Sequence, residues 1–241
     1  TYPVAELPAL EKSAICQVLL PSFEEHITNR LPNCKTITIG NAVPQFSCAV
    51  DLNSDKETFK IIFVGRLNGN HKRPHLLIEA FSKIAQKFPE WQVELWGAGR
   101  NKEYYYKIKN MIMAKSLQNR VFIKGTTNDV NKVLKDGDIF VIPSAYEGFG
   151  LSLAEAMSVG LPAIGYRSCV AVNELIVDGE NGFLCDDGTD DLARKMEELM
   201  SNKNLRIAMG ANAHESMKTY APEKIWEQWE TLMLDIVKSA E

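Results

Sequence analysis

Hydrophobic positions in this chain form short apolar runs that alternate with amphipathic stretches over most of its length. Short apolar runs predict buried strands, whereas apolar residues spaced three and four apart predict helices that pack on a sheet. The predicted strands cover residues 17–20, 36–39, 60–64, 92–96, 121–123, 139–142 and 162–165. The predicted helices cover residues 23–30, 74–88, 102–116, 128–134 and 151–159. After residue 184 the pattern is purely helical, with helices predicted from Asp190, Asn204 and Pro222.

Alternation of strands and helices is typical of a parallel sheet that is covered by helices on both faces. We therefore predict an α/β fold with a doubly wound, Rossmann-like sheet, in which ligands bind at the carboxyl ends of the strands. Residues 45–57 are polar and aperiodic, which indicates a domain boundary. Residues 1–44 are too few for a doubly wound domain, so we interpret them as the tail of a second, largely absent domain. The chain begins with Thr1 rather than Met, as expected of a fragment.

The composition is that of an ordinary globular protein, with 45% hydrophobic and 24% charged residues in a chain of 241. The formal net charge of −4 disfavours non-specific binding to nucleic acid. No apolar run reaches the length of about 18 residues that a transmembrane helix needs. Five scattered cysteines without a Cys-x-x-Cys pair argue against a disulfide framework and a zinc site, and they favour a reducing cytoplasm.

The stretch from Glu147 to Glu155 carries the most informative motif. An apolar strand runs into a glycine-rich turn with Glu147, and the following helix carries Glu155. Glycines let the backbone approach a ligand closely, and the amino-terminal end of a helix attracts phosphate or sugar oxygens. Carboxylates accept hydrogen bonds from paired hydroxyl groups. Two carboxylates at one anion site predict a ligand with both phosphates and polyol groups, such as a nucleotide sugar.

A second motif follows the strand that ends at Gly65, where Arg66 and Lys72 flank a Gly/Asn-rich loop. Two cations at the carboxyl edge of a parallel sheet can stabilise a departing diphosphate. Alone, such a loop is more often a solvated basic turn. Beside the Glu147–Glu155 segment we favour the ligand-binding interpretation.

Two further motifs argue against other ligands. Gly97-Ala98-Gly99 follows a strand as a dinucleotide fingerprint would, but Lys102 stands where the third glycine is required, so we expect a close turn and no NAD site. Asp136-Gly137-Asp138 resembles a metal-holding acidic pair, yet Asp138 begins a strand and lies at the wrong edge. We predict no protein-held metal. The last helix carries Trp226 and Trp229, which cannot both be left in water without a cost, so we expect this helix to pack on another part of the protein, such as the absent domain.

Taken together, these segments resemble the family 4 retaining glycosyltransferases, which have the GT-B fold. The resemblance covers nearly the whole chain and rests on the following segments: Val64-Gly65-Arg66-Leu67, Lys72, residues 76–81, Trp96-Gly97-Ala98-Gly99, Pro143-Ser144, Glu147-Gly148-Phe149-Gly150, Glu155-Ala156-Met157, Asn173-Glu174-Leu175-Ile176 and Asn181-Gly182. Two positions depart from the family pattern, because Ala42 and Arg73 stand where glycine is usual. Residues 165–175 look like enzymes of bacterial capsule or O-antigen assembly.

The resemblance assigns roles to individual residues. Arg66 and Lys72 would hold the diphosphate and, with Glu147, carry catalysis, while Glu147 would bind sugar hydroxyls near the reacting carbon. Glu155 would accept from the ribose hydroxyls. The remaining donor-binding residues are backbone groups of the turns and one lysine beside the base: Gly65, Phe149, Gly150, Leu151 and Lys124. The family needs no metal and no cofactor, since a nucleotide sugar is the substrate.

The resemblance also implies a domain plan and a reaction. Residues 1–48 would end the amino-terminal acceptor domain, residues 49–221 would bind the nucleotide sugar, and residues 222–241 would form a helix that returns to the first domain. The expected enzyme is a hexosyltransferase that moves a sugar, preferably from a UDP-sugar, to a hydroxyl of a glycan or lipid-linked oligosaccharide. We expect it in the cytoplasm, with peripheral membrane contact through the absent domain, and we expect this chain alone to bind donor without transferring sugar.

Two other classes stay open at this point. A GT-B-like epimerase or phosphorylase would act on a nucleotide sugar without a sugar acceptor. A non-catalytic module would bind the nucleotide sugar only, although the joint presence of Arg66, Lys72, Glu147 and Glu155 argues against it.

Overall fold

The computed structural model describes residues 7–240, with side chains described from residue 9 to residue 238. The chain divides into two compact units. The first unit contains the described residues up to Pro44 together with those from Thr219 on, and the second is Gln45–Lys218. Residues 1–6, where the predicted acceptor-domain segment begins, lie outside the described residues.

Eight strands and ten α-helices make up the described chain. The strands are β1 (Cys16–Val18), β2 (Thr36–Thr38), β3 (Phe59–Val64), β4 (Trp91–Trp96), β5 (Val121–Gly125), β6 (Ile139–Ile142), β7 (Ala163–Tyr166) and β8 (Gly182–Cys185). The helices are α1 (Leu7–Glu11), α2 (Pro21–Thr28), α3 (Pro74–Ile84), α4 (Lys102–Ala114), α5 (Val130–Lys135), α6 (Leu151–Ser158), α7 (Val170–Leu175), α8 (Asp190–Ser201), α9 (Lys203–Ser216) and α10 (Pro222–Ala240). A 3-10 turn at Met217–Tyr220 precedes α10.

The second unit is built on a six-stranded sheet in the order β5-β4-β3-β6-β7-β8, and every neighbouring pair in it is parallel. Side chains alternate between the two faces of a strand, so Ile61 and Phe63 of β3 enter one core while Ile62 points to the other face. The first core also receives Phe81 from α3 and Met196 from α8. Helix α6 contacts β6 and β7. Burial on both faces explains why these strands read as continuous apolar runs.

The predicted α/β class and the doubly wound parallel sheet are confirmed. All seven predicted strands exist, with ends that differ by up to two residues. The sequence analysis missed α1, α7 and β8. Strand β8 is only four residues long and begins at Gly182, where an added Cβ would lie 2.4 Å from the Ala163 carbonyl oxygen, so the neighbouring strand excludes a side chain there. Helix α3 ends at Ile84, four residues before its predicted end.

The first unit contains the two-stranded parallel sheet of β1 and β2 with α1, α2 and α10. Ile39, Ile225 and Leu232 form a small core, against which Trp229 packs. Trp226 is 65% exposed, so one of the two indoles packs and the other does not, which agrees with the expectation that they are not both left in water. Within the described residues, no helix combines the length and apolar character needed to cross a membrane.

Candidate functional site

The chain order of the sheet reverses between β3 and β6, since β4 and β5 lie on one side of this pair and β7 and β8 on the other. In open parallel sheets such a switch point leaves a crevice at the carboxyl ends of the strands, and ligands bind there. The loop after β3 and the loop after β6 meet at this point. Arg66, Lys72 and Glu147 all belong to these two loops.

Backbone hydrogen bonds join the turns after β3, β4 and β5. The Gly65 N–H donates to the Trp96 carbonyl at 2.9 Å, the Leu67 N–H to the Ala98 carbonyl at 3.0 Å, and the Gly97 N–H to the Gly125 carbonyl at 2.7 Å. Gly97 has φ +148, and a Cβ added to it would lie 1.8 Å from the Gly65 carbonyl oxygen. The close turn expected at Gly97 therefore depends on glycine, which brings two loops of the site together.

Three consecutive residues of the β3 loop contact the segment after β6. The His71 carbonyl accepts from the Ala145 N–H at 2.7 Å. The Lys72 ammonium donates to the Glu147 carboxylate, with Nζ and Oε1 2.6 Å apart. Arg73 Nε donates to the Pro143 carbonyl at 2.9 Å. Residues 71–73 thus hold the two loops of the switch point in register; we call these contacts the loop seam.

Glu147 and Lys72 form a largely buried ion pair. Their side chains are 10% and 16% exposed, respectively. A charge-assisted hydrogen bond in a low-dielectric site is stronger than one in water, and it fixes both groups in one geometry. An ammonium has three donors, so Lys72 keeps two N–H groups for another acceptor while it is bound to Glu147. The sequence analysis named both residues but did not predict that they form a pair.

The start of α6 supplies the backbone part of the site. Gly150 is the N-cap residue with φ +85, and no side chain caps the helix. An uncapped helix start leaves N–H groups and positive dipole for an anion. Of the three residues predicted to present backbone N–H groups, Phe149 has its ring buried in the protein, whereas the side chain of Leu151 is 47% exposed.

Arg66 and Glu155, unlike Lys72 and Glu147, are not paired with other side chains in the described part of the chain. Arg66 is exposed and Glu155 is half-buried, and within the described residues neither side chain has a hydrogen bond or an ion pair. Burial raises the pKa of the Glu155 carboxyl above its ordinary value. Both groups keep their full hydrogen-bonding capacity for a ligand.

Lys124, predicted to lie beside the base, makes contacts on the face of the sheet. Its Nζ lies 3.8 Å from the Glu94 carboxylate and 5.6 Å from the centroid of the Trp96 ring. Glu94 also accepts from Trp96 Nε1 at 2.8 Å and pairs with Lys60 at 3.4 Å. In this arrangement the ammonium of Lys124 lies against two side chains of β4, Glu94 and Trp96. A single carboxylate, Glu94, within the apolar strand β4 was the signal that could have indicated this cluster.

The sequence analysis did not assign two residues that support the site, Tyr104 and Arg73. Tyr104 packs under the β3 loop, where a Cβ added to Gly69 would lie 2.8 Å from its ring. Its hydroxyl and His75 Nδ1 are 2.7 Å apart, and burial raises the pKa of Tyr104 to about 12. Arg73 is the other residue. Neither spacing nor composition distinguishes these side chains from ordinary helix residues.

In the part of the chain that the structure describes, no group of three or more His, Cys, Asp or Glu side chains is arranged to hold a metal ion. Asp138 precedes β6 at the amino edge of the sheet, where it pairs with Lys56 at 2.9 Å and accepts from the Lys60 N–H at 2.8 Å. The five cysteines are free thiols.

The sequence profile of the family described as "Glycosyl transferases group 1" matches residues 49–216, which is more than half of the chain. The chain belongs to this family. A similar curated protein is the poly(ribitol-phosphate) alpha-N-acetylglucosaminyltransferase of Staphylococcus aureus (strain COL), with 34% identity over 160 residues, 66% of this chain and 32% of that protein. N-acetyl-alpha-D-glucosaminyl L-malate synthase of Bacillus anthracis is 32% identical over 169 residues, which cover 69% of this chain and 43% of that protein.

Solved structures agree with the family assignment. A mutant of S. aureus TarM, crystallised in complex with Fondaparinux, alpha-GlcNAc-glycerol and UDP, has a TM-score of 0.83 at 29% identity, covering 94% of this chain and 45% of that one. The pneumococcal O-GlcNAc transferase GtfA, in complex with UDP and GlcNAc, has a TM-score of 0.82 at 19% identity, covering 97% of this chain and 47% of that one, which shows the shared fold. The chain spans about half or less of the length of the curated relatives that it matches.

Proposed function

We propose that this chain is the donor-binding part of a retaining glycosyltransferase, a hexosyltransferase that uses a UDP-sugar. The observation that carries the proposal is the switch point between β3 and β6. There, a free cation (Arg66), a buried Lys72–Glu147 pair and an uncapped helix start share one edge of the sheet. These groups match the parts of a nucleotide sugar, because cations and a helix start suit a diphosphate and carboxylates suit hydroxyl groups.

The proposed chemistry is departure of a nucleoside diphosphate from the anomeric carbon, while an acceptor hydroxyl enters on the same face. Negative charge grows on the leaving phosphate as the bond breaks. Arg66, the two remaining N–H donors of Lys72 and the start of α6 would stabilise this charge, and groups that are held in place before the reaction are most effective. Glu147 would orient sugar hydroxyls, and Glu155 would accept from the ribose. In this proposal, cationic side chains take the place of a metal ion.

The base of the donor and the acceptor are also part of the proposal. UDP is present in the TarM and GtfA complexes, which supports a uridine nucleotide. The names of two relatives describe transfer to poly(ribitol phosphate) and poly(glycerol phosphate), which are polymers of polyol units. We propose a glycan or lipid-linked oligosaccharide of surface polysaccharide synthesis, such as O-antigen or capsule, as the acceptor. The reaction would take place in the cytoplasm, at the inner face of the membrane where the acceptor is lipid-linked.

Calorimetric titration of the chain with UDP, GDP and ADP, each with and without EDTA, tests the donor site. We expect UDP to bind with an affinity that EDTA leaves unchanged. Arg66→Ala is expected to weaken binding about tenfold, because it removes a charged hydrogen-bond donor from the diphosphate. The matched control is Arg30→Ala, which removes an exposed arginine from the first unit and should leave the affinity unchanged.

Three results would contradict the proposal: no binding of any of the nucleotides, binding that EDTA abolishes, or equal affinities of the Arg66→Ala variant and the unmodified chain. Preference for GDP or ADP over UDP would contradict only the choice of base.

A further inference from the structure

Arg73 makes a side-chain contact in the loop seam but has no role in the proposed chemistry. It precedes α3 with φ +47, the left-handed region that side-chain-bearing residues rarely adopt. Glycine adopts this region without the steric penalty that a Cβ brings. The chain therefore keeps a strained backbone at a position where glycine would avoid the strain, which directs attention to the contacts of the arginine side chain.

The guanidinium of Arg73 bridges the carboxyl ends of three strands. Its Nε donates to the Pro143 carbonyl after β6 at 2.9 Å. Its central carbon lies 5.0 Å from the centroid of the Tyr166 ring at the end of β7. Its Nη2 lies 3.8 Å from Oδ1 of Asp187 after β8. A planar guanidinium can hold several partners at fixed angles, which an ammonium cannot.

The contact with Pro143 bears directly on Glu147. Pro143 begins the segment 143–150 that leads to α6, and the other two contacts of the loop seam, His71 with Ala145 and Lys72 with Glu147, lie on the same segment. We propose that Arg73 is a positioning residue that fixes segment 143–150 against the β3 loop, so that Glu147 meets Lys72 in the geometry that binds the donor diphosphate. This inference rests on the proposed function of the same site.

Arg120 provides a matched comparison for Arg73. Its Nε also donates to a backbone carbonyl, that of Trp91 at 2.7 Å, and its guanidinium also lies over an aromatic ring, that of Phe81 at 5.5 Å. Trp91 begins β4, so these contacts are at the amino edge of the sheet. A lysine at either position keeps the charge and loses the Nε–H donor. Arg120 also donates from Nη2 to the carbonyls of Phe88 and Ala85, so its substitution removes more hydrogen bonds than that of Arg73, at a different place in the sheet.

Hydrogen exchange of the nucleotide-free chain measures the positioning step by itself. The Arg73→Gly and Arg73→Lys variants are expected to speed exchange in segment 143–150 about tenfold or more, because each loses a charged hydrogen bond to Pro143. Arg73→Gly also removes the backbone strain, so its melting temperature should fall less than that of Arg73→Lys. In both variants the affinity for UDP should fall about tenfold. Arg120→Lys should lower the melting temperature without changing either exchange in segment 143–150 or the affinity for UDP.

Two outcomes would overturn the inference. One is unchanged exchange in segment 143–150 of both Arg73 variants. The other is faster exchange with an unchanged affinity for UDP, since the contact would then be purely structural. Should the unmodified chain bind no nucleoside diphosphate, the proposed function fails, and exchange in segment 143–150 alone then decides whether Arg73 positions the loop.

Discussion

The Lys72–Glu147 pair and the two unpaired groups, Arg66 and Glu155, represent opposite states of a binding site. Lys72 and Glu147 are buried, paired at 2.6 Å and enclosed by the contacts of residues 71 and 73. Arg66 and Glu155 are without partners in the described part of the chain. The difference teaches that one region of the site is organised before any ligand arrives. The other region keeps hydrogen-bonding capacity that is available to a ligand.

This contrast has an energetic basis. A charge that stabilises a transition state is most effective where it cannot reorient, and burial between protein groups prevents reorientation. A group that recognises a ligand gains most when its own partners do not compete. The paired region is therefore fixed in advance for the ligand, and the unpaired region is available to contact it. Substitutions in the two regions should differ in what they change: those in the paired region should lower the stability of the protein as well as the affinity for nucleotide, whereas those in the unpaired region should lower the affinity without a loss of stability.

The largest effect on stability is expected at Gly97, where the preformed region requires a residue without a side chain. Gly97→Ala places a Cβ 1.8 Å from the Gly65 carbonyl oxygen, so one of the two loops must move. We expect a loss of at least about 3 kcal/mol in the free energy of unfolding, measured by urea denaturation. Gly125→Ala is the control, because its φ of +78 is also left-handed but no atom lies within 4 Å of the added Cβ. That variant should lose only about 1 kcal/mol. Equal losses would show that the two loops do not need their close approach.

A smaller loss of stability is expected when the buried pair is broken. Lys72→Ala leaves the Glu147 carboxylate buried without its cation, which should lower the free energy of unfolding by about 2–3 kcal/mol. The double variant Lys72→Met/Glu147→Gln should recover part of this loss, because no charge stays buried. Lys83→Ala breaks an ion pair in which the Asp190 side chain is 95% exposed, and it should change stability by less than about 0.5 kcal/mol. If Lys72→Ala were as mild as Lys83→Ala, the site would not be organised in advance.

The smallest effect on stability is expected at Glu155, with the opposite sign. Burial raises the pKa of this carboxyl in the folded protein above its ordinary value of 4.5, so its charge costs stability at pH 7. Glu155→Gln should therefore be slightly more stable than the unmodified chain at pH 7. The difference should shrink as the pH falls through the raised pKa towards 4.5, because the carboxyl then takes up its proton in the folded state.

The same substitution should weaken UDP binding about tenfold, since a charged acceptor for the ribose is lost. Glu180→Gln, on an exposed turn, is the control for both measurements. Thermal unfolding between pH 4.5 and pH 7 and titration with UDP provide the data. A variant that is less stable at pH 7 but binds UDP normally would place Glu155 among the structural residues.

The sequence was sufficient for the parts of the account that depend on local pattern. Apolar runs located the strands of the sheet, and the glycine-rich turns marked their carboxyl ends, so Arg66, Lys72 and Glu147 could be assigned to one edge. The short elements α7 and β8 were missed because a few residues do not establish a period. The pairing of Lys72 with Glu147 joins residues 75 positions apart, and only the geometry of the two loops determines it.

Lys124 and Arg73 both illustrate contacts between strands that a sequence pattern cannot predict. Lys124 was assigned to the base by resemblance, and the sequence did not indicate its contacts with Glu94 and Trp96 of the neighbouring strand. Arg73 was noted only as a departure from the family pattern, yet its side chain reaches the ends of three strands. In both cases the partners come from other strands of the sheet, and a linear pattern contains no information on such pairs.

The most direct test of the central claim is the map of amide chemical-shift changes in the labelled chain on addition of UDP. The account predicts that the largest changes fall on residues 65–72 and 147–155, on the two sides of the switch point, and that they persist in EDTA. Changes confined to the first unit, or to the outer edge formed by α4 and β5, would contradict it.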